Sequence, residues 1–350
     1  MNARRPSKAR QDGGAARTPT IVDVALRAGV SKSLVSRVFR DSPRVSAAGR
    51  AAVLDAAQEL GYRPNAAART LVRRRSHAVG ILVSDLHNLF LPEVATGLDA
   101  VLESSGYTTF VVTGKHRQQT EEAALVRLLE LRVDGIVCAT TRLGGAALRE
   151  AARATAIVNL TRTPRVPRVD SVVGDDYRGA TLVVDHLLGL GHRRIAMIAD
   201  TDERAGADRI RGYQDAMASA GNAAATRVIP GGFTETGGHR AAVSLLDGDN
   251  TTRPTAVFVA SDLAALGVLD AASELGIHVP AELSIVGYDN TPLAALRHIS
   301  LASVDQSAHE IGASAGQALL ARIAHPERPA RRRVIAPSLI MRTTCGPAPA

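Results

Sequence analysis

The sequence predicts an α/β protein built as a small all-α head followed by a two-lobed body with parallel sheets. Three observations predict it. The excess positive charge lies wholly in the first fifth of the chain. Helix-capping residues punctuate three short apolar-periodic segments in that same stretch. Beyond it, apolar strand-like runs alternate with helical stretches in two successive series.

The charge divides sharply. Residues 1–75 hold 16 Lys and Arg against 5 Asp and Glu, a net of +11, while the remaining 275 residues net −3. That polarity suggests a nucleic-acid-binding head on a near-neutral body. A solvated basic tail could account for residues 1–17, but not for the Arg and Lys set within the periodic segments that follow. With 350 residues, 45% hydrophobic and 22% charged, the chain can bury a sizeable core and should form two or three units. Five Phe, five Tyr and no Trp leave that core to aliphatic side chains. No run of about 18 apolar residues exists to span a membrane. The start, MNARRPSKARQDGGAARTPT, lacks the apolar stretch of a secretory signal. Cys138 and Cys345 offer neither a disulfide framework nor a metal-ligand spacing, so a reducing cytoplasm is the expected location.

In the head, Thr20 followed three residues later by Asp23 resembles a capping box, and Ile21, Val24, Ala25 and Ala28 then recur at helical spacing up to Gly29. Ser31 opens a second helix carrying Leu34, Val35 and Val38 on one face. Only Gly29 and Val30 part the two, which is the tight turn of a helix-turn-helix. Ser46 starts a third helix with Val53, Leu54, Ala57 and Leu60, stopped by Gly61; Gly49 within it costs roughly 1 kcal/mol relative to Ala. Many structural helix pairs share this outline. The second helix, however, presents Lys32, Ser33, Ser36, Arg37 and Arg40 at its start and outer face, more donors than packing needs. The leading end of such a helix meets base edges, where Arg can bridge two guanine acceptors.

The strings TIVDVALRAGVSKSLVSRVF, RVS and LGYRPNAAARTL together resemble the head of the lactose-repressor (LacI) family of regulators over some fifty positions. The resemblance implies that Lys32, Ser33 and Arg37 read the major groove. It also implies that residues 65–71 form a short hinge helix in the minor groove, with Leu71 wedged between base pairs. The candidate DNA-contacting set is therefore Thr20, Ser31, Lys32, Ser33, Ser36, Arg37 and Arg40 in the head, with Asn65, Ala68 and Leu71 in the hinge. Leu34, Arg40 and Gly49 depart from the residues usual in the family, which bears on the operator sequence. The hinge also reads this way chemically. Its two turns are too short to be stable alone, and DNA can supply the missing stabilisation. A plain linker with Leu71 packed on the body is the alternative.

In the body, the runs AVGILVS, YTTFVVT, DGIVCA and AIVNL form one strand series, and RIAMIA, TAVFVA and ELSIVG a second. Two such series imply two lobes facing across a cleft, with helices on both faces of each sheet. Ligands in such folds sit at the carboxyl ends of strands. There the sequence turns polar, at Asp85, His87 and Asn88, at Asp200, at Ser261 and Asp262, and at Tyr288, Asp289 and Asn290. Asp, Ser and Asn at such ends can equally cap the next helix, most readily Ser261 and Asp262. GGFTETGG (231–238) lacks a Lys and reads as a loop.

The resemblance continues through HLLGLGHRRIAMIA, RIRGYQDAM, VASDLAALGVLDAASELGIHVPAELSIVGYDNTPLA and LASVDQSAHEIG, which are similar to the family's periplasmic-binding-protein-like sensor domain. It implies effector contacts by Asn88, Phe90, Arg209, Phe233, Ser261, Asp289 and Gln306. An Arg and an Asp across a cleft with two aromatic faces suit a hydroxyl-rich ligand, and the family resemblance implies a sugar or sugar derivative. Arg209 as an ordinary surface helix residue is the alternative. The expected layout is a disordered basic tail (1–18), a DNA-binding head (19–64), a hinge (65–76) and a sensor (77–345). Within the sensor, the first lobe would hold 77–174 and 305–335, the second 175–304 and 336–345.

No G-x-G-x-x-G follows a strand, and no Walker or nucleophile-elbow motif occurs, so no enzymatic activity or cofactor is expected. The ten His are scattered, and no metal site is expected. A sugar-binding transport protein shares the body but would need an export signal and no basic head. An α/β enzyme with a nucleic-acid head lacks any visible catalytic constellation. The expectation is a repressor that binds a palindromic double-stranded operator as a homodimer, with a small ligand, a carbohydrate, setting its affinity. A ligand that separates the two hinges would induce, and one that pairs them would co-repress.

Overall fold

The computed structural model describes residues 18–40, 42–63, 75–84, 86–87, 89–139, 142–160, 163–164, 166–201, 206–247 and 252–349. Two compact units are divided between Ser76 and His77. The hinge residues Asn65, Ala68 and Leu71, the tail 1–17, and Asn88 lie outside the described residues.

The head is three helices, α1 (Ile21–Arg27), α2 (Lys32–Val38) and α3 (Ala47–Glu59). Each begins at a hydroxyl. Thr20 and Asp23 form a reciprocal capping box, the Thr20 N–H donating to Asp23 Oδ2 at 2.7 Å. Ser31 Oγ accepts from the Leu34 N–H at 3.2 Å, and Ser46 Oγ from the Gly49 N–H at 3.2 Å. Gly29 makes the turn between α1 and α2 at φ +65°, a conformation open to glycine without strain. Val24, Val35, Val38, Val53 and Ala57 close the core, beside Phe39 and Tyr62 with ring centroids 5.5 Å apart. Leu54 departs from expectation. It is 47% exposed, because Val53, Ala56 and Ala57 already fill the inward stripe and residue 54 points away from it.

The body holds two six-stranded sheets. The first contains β1 (Ala78–Val83), β2 (Thr108–Thr113), β3 (Gly135–Ala139), β4 (Ala156–Asn159), β5 (Val169–Gly174) and β11 (Arg332–Ile335), in the order β11-β5-β4-β3-β1-β2 and parallel throughout. The second contains β6 (Ile195–Ala199), β7 (Arg227–Pro230), β8 (Ala256–Val259), β9 (Ser284–Tyr288), β10 (Ala302–Asp305) and β12 (Ser338–Ile340), in the order β12-β10-β9-β8-β6-β7. Only β12 runs antiparallel to its neighbour there. The chain passes between the sheets three times, after β5, after β10 and after β11.

Helices cover both faces. The first lobe carries α4 (Phe90–Ser104), α5 (Gln118–Glu130), α6 (Gly145–Ala154) and α11 (Ala308–Ala324). The second carries α7 (Asp176–Gly189), α8 (Ala207–Ser219), α9 (Glu235–Leu246) and α10 (Asp262–Glu274). Five of the twelve strands among the described residues, β5, β7, β10, β11 and β12, lie outside the seven apolar runs. Asp170 and Ser171 interrupt β5, and the four-residue edge strand β7 has no fully buried residue. The segment 231–238 is also not all loop. Thr234 caps α9 by accepting from the Gly237 N–H at 3.1 Å, so Gly237 and Gly238 are helical.

Those glycines have a packing reason. A Cβ on Gly238 would lie 2.0 Å from the Ala264 carbonyl oxygen of α10, and one on Gly312 would lie 2.0 Å from the Val94 carbonyl of α4. Each lobe thus has a helix pair in backbone contact. Gly238→Ala and Gly312→Ala should each destabilise the body by about 1–3 kcal/mol. Gly189→Ala, which meets no atom within 4 Å, should be neutral or stabilising by up to about 1 kcal/mol. Denaturant unfolding of the three variants checks this, and equal effects would contradict the close-contact reading.

Candidate functional site

On the head, Lys32, Ser33, Arg37 and Arg40 are exposed and Ser36 partly so. They are not equally free. Ser31 is the α2 cap and its hydroxyl lies 2.9 Å from that of Ser33. Arg40 folds back on its own helix, Nε donating to the Ser36 carbonyl at 3.1 Å and Nη2 to Ser36 Oγ at 2.6 Å. Thr20 is engaged with Asp23. Lys32 and Arg37 keep their charged ends without a hydrogen bond or ion pair among the described residues. Helix α2 therefore offers two cations, Lys32 and Arg37, that are uncommitted among the described residues.

In the body, the predicted residues follow strand ends. Phe233 stands after β7, Ser261 after β8, Asp289 directly after β9 and Gln306 directly after β10. Arg209 occupies the first turn of α8, behind β6. These five form one connected group. Arg209 is only 8% exposed, so it is no surface helix residue. Its Nε donates to Asp176 Oδ1 at 3.0 Å, its Nη1 donates to the Ala260 carbonyl at 2.5 Å, and its guanidinium carbon sits 3.8 Å above the Tyr288 ring. Tyr288 donates its hydroxyl to the same Asp176 oxygen at 2.9 Å. Asp289 is buried and accepts from Gln306 Nε2 at 2.6 Å. Ser261 caps α10, accepting from the Ala264 N–H, and its hydroxyl reaches the Phe233 carbonyl at 3.4 Å. Phe233 packs half-buried against the second lobe's core. Phe90 opens α4 in the first lobe and packs against that lobe's core.

Tyr288, marked in the sequence only as part of a polar strand end, and Asp176, not marked at all, also belong to this group. The signal for Asp176 was available, a pair of carboxylates straight after VDSVVG, but the polar Asp170 and Ser171 hid the strand. Asp262, by contrast, is structural. It is 1% exposed and accepts from the Thr291 N–H, the Thr291 hydroxyl and the Ser303 hydroxyl.

The electrostatics follow from burial. Burial alone would weaken proton binding by Arg209, but the charges of Asp176, Tyr288 and Asp289 overcome it and hold the guanidinium firmly protonated. Burial pushes Asp289 up to about 8, against the opposing pull of Arg209 and with help from the nearby Asp262 carboxylate. Burial likewise raises Asp262 to about 6, and raises the Tyr288 hydroxyl well above its ordinary value. Asp289 also stands at φ +106°, a backbone region that L side chains rarely adopt. Its neighbours hold it there. The Asp289 N–H donates to the Val304 carbonyl at 2.9 Å, and the next residue, Asn290, is held by Ser303 and Arg342. Strained residues fixed by their surroundings in this way recur at ligand-binding and active sites.

A carboxyl whose folded value is raised favours the native state at low pH, and loses that contribution as pH rises from the unfolded value through the folded one. The contribution of Asp289 to the stability of the ligand-free body should therefore be lost as pH rises from about 4 to about 8. Asp289→Asn keeps the acceptor for Gln306 and suits a positive φ, so it should be more stable than the parent at pH 8 and equal to it at pH 4. Chemical unfolding at the two pH values checks this. A variant less stable at pH 8 would show that the charged carboxylate is held by its partners.

A family profile described as bacterial regulatory proteins, lacI family, matches residues 20–65, and one for a periplasmic binding protein-like domain matches residues 184–345. The chain is 33% identical over 300 residues to catabolite control protein A of Priestia megaterium, covering 85% of this chain and 90% of that one. It is 32% identical over 335 residues to the transcriptional regulator DegA of Bacillus subtilis, covering 94% and 98%. Among solved structures, the lac repressor dimer bound to operator and an anti-inducer superposes with TM-score 0.81 at 27% identity, covering 94% of this chain and 99% of that one. The regulator CelR in complex with cellobiose gives 0.68 at 31%, covering 93% and 99%.

Proposed function

We propose, from the premise that the chain belongs to the lacI family of bacterial regulatory proteins, that it is a repressor whose grip on a palindromic operator is set by a carbohydrate in the body's cleft. The members it resembles are transcriptional regulators, not enzymes. The observation that carries the DNA-binding half is the exposed face of α2, where Lys32 in the first turn and Arg37 in the last have no partner among the described residues. Arg37 would bridge a guanine, and Lys32 would reach a single acceptor or a phosphate. Asn65, Ala68 and Leu71 complete the contact as a hinge that gains its helix on DNA.

For the effector, Arg209 has five N–H groups and spends one on Asp176 and one on Ala260. Three remain for ligand oxygens, beside a carboxyl at Asp289 and an aromatic face at Phe233. That set suits a polyol with one apolar face. Two structural neighbours, with ribose and cellobiose bound, lend support. Asn88 and Phe90 would close on the ligand from the first lobe.

A homodimer is supported by β2. It is the edge strand of its sheet, yet Phe110 and Val111 are each 48% exposed, with Val126 of the next helix 51% exposed. An apolar open edge of this kind calls for cover, and a second copy of the chain supplies it. Acting in the cytoplasm, such a dimer would place two heads on one duplex, and lobe movement would change the separation of the two hinges.

Selection of binding duplexes from random sequence by the full chain tests the proposal. The enriched site should be palindromic and bind two chains. Arg37→Ala should cost about 1–3 kcal/mol at one symmetric pair of positions. Absence of enrichment, or a uniform loss over all sequences with Arg37→Ala, would refute the readout.

A further inference from the structure

We propose that the second lobe carries a surface site for a divalent first-row transition ion, formed by His239 of α9 with Asp270 and Glu274 of α10. Sequence spacing hides it, because the imidazole and the first carboxylate are 31 residues apart; only the pairing of α9 with α10 brings them together. His239 Nε2 stands 3.0 Å from Glu274 Oε2 and 3.9 Å from Asp270 Oδ2, and the three donor atoms lie within 4.8 Å of one another.

The spacing is near what an ion requires. Ligands at about 2.0–2.2 Å in tetrahedral array are about 3.3–3.6 Å apart. The His239–Glu274 and His239–Asp270 separations bracket that range, so small side-chain rotations suffice. Asp270 and Glu274 occupy successive turns of one helix face, and both are about 60% exposed, so they are free to rotate and leave room for water ligands.

The scaffold beneath them is fixed. A Cβ on Gly267 would lie 2.0 Å from the Glu235 carbonyl and 2.7 Å from the His239 backbone nitrogen, so the α10 backbone rests directly against the turn that carries His239. Charge points the same way. Two carboxylates against one imidazole leave a net negative site even when the imidazole is protonated, and neither carboxylate is paired with an Arg or Lys among the described residues. A nitrogen donor with two carboxylates favours zinc and its neighbours over calcium or magnesium, which prefer all-oxygen sites. A bound ion would tie α9 to α10, the two helices whose starts carry Phe233 and Ser261.

The full chain, stripped with a chelator, would be titrated with Zn²⁺ by calorimetry and with Co²⁺ by visible absorption. The expected result is one site per chain, visible cobalt bands, and an unfolding midpoint that rises with Zn²⁺. His239→Ala should abolish all three, and Glu274→Gln should weaken binding at least about tenfold. His298→Ala, which removes another exposed histidine, should change nothing. Unaltered stoichiometry and affinity in both His239→Ala and Glu274→Gln, or no cobalt bands up to millimolar metal, would overturn the site.

Discussion

One carboxylate oxygen organises the buried polar group at the strand ends of the second lobe. Asp176 Oδ1 accepts from both Arg209 Nε and the Tyr288 hydroxyl, and the guanidinium then lies flat on the Tyr288 ring. An arginine buried to this degree needs a counter-charge and a fixed direction for each N–H, or desolvation would outweigh what it contributes. Asp176 supplies both. It is the first residue of α7, directly after the chain leaves the first sheet, so the group that aims Arg209 sits at a passage between lobes. Gly179 makes the arrangement possible, since a Cβ there would lie 2.3 Å from the Tyr288 hydroxyl.

A second passage meets the same network. Gln306 follows β10 where the chain returns to the first lobe, and it holds Asp289. It also rests against Gly174 at the end of β5, where a Cβ would be 2.9 Å from its side-chain oxygen. The buried polar group and the segments that pass between the lobes are thus built from neighbouring residues. Under the proposed function, a ligand held by this group would bear directly on the residues that join the lobes, with no long relay.

Much of this was legible in the sequence for definite reasons. Hydroxyls at Thr20, Ser31 and Ser46 announced the three head helices, because each start needs an acceptor for an orphan N–H. Apolar runs announced most of the strands, because parallel sheets covered on both faces bury every residue. The reading failed where that rule is locally broken. Asp170 lies within β5 because Arg322 and Arg328 neutralise it from a distant part of the chain, and no local pattern reveals such a partner. With β5 unseen, Asp176 lost the strand end that would have marked it. The helical start at Thr234 was masked by glycines that serve packing against α10, not turn formation. The connected group around Arg209 arises from five separate strand ends, which periodicity marks individually but cannot join.

The proposed function requires that ligand binding to the body and binding of DNA by the head be linked. Linkage is reciprocal, so it can be read from the ligand side alone. Mono- and disaccharides, ribose and cellobiose among them, would be screened for thermal stabilisation, and the affinity of a stabilising sugar measured with and without a selected operator duplex. The account predicts a change of about 5–150-fold on adding operator. No stabilising sugar, or a sugar that binds equally well in both conditions, would contradict it.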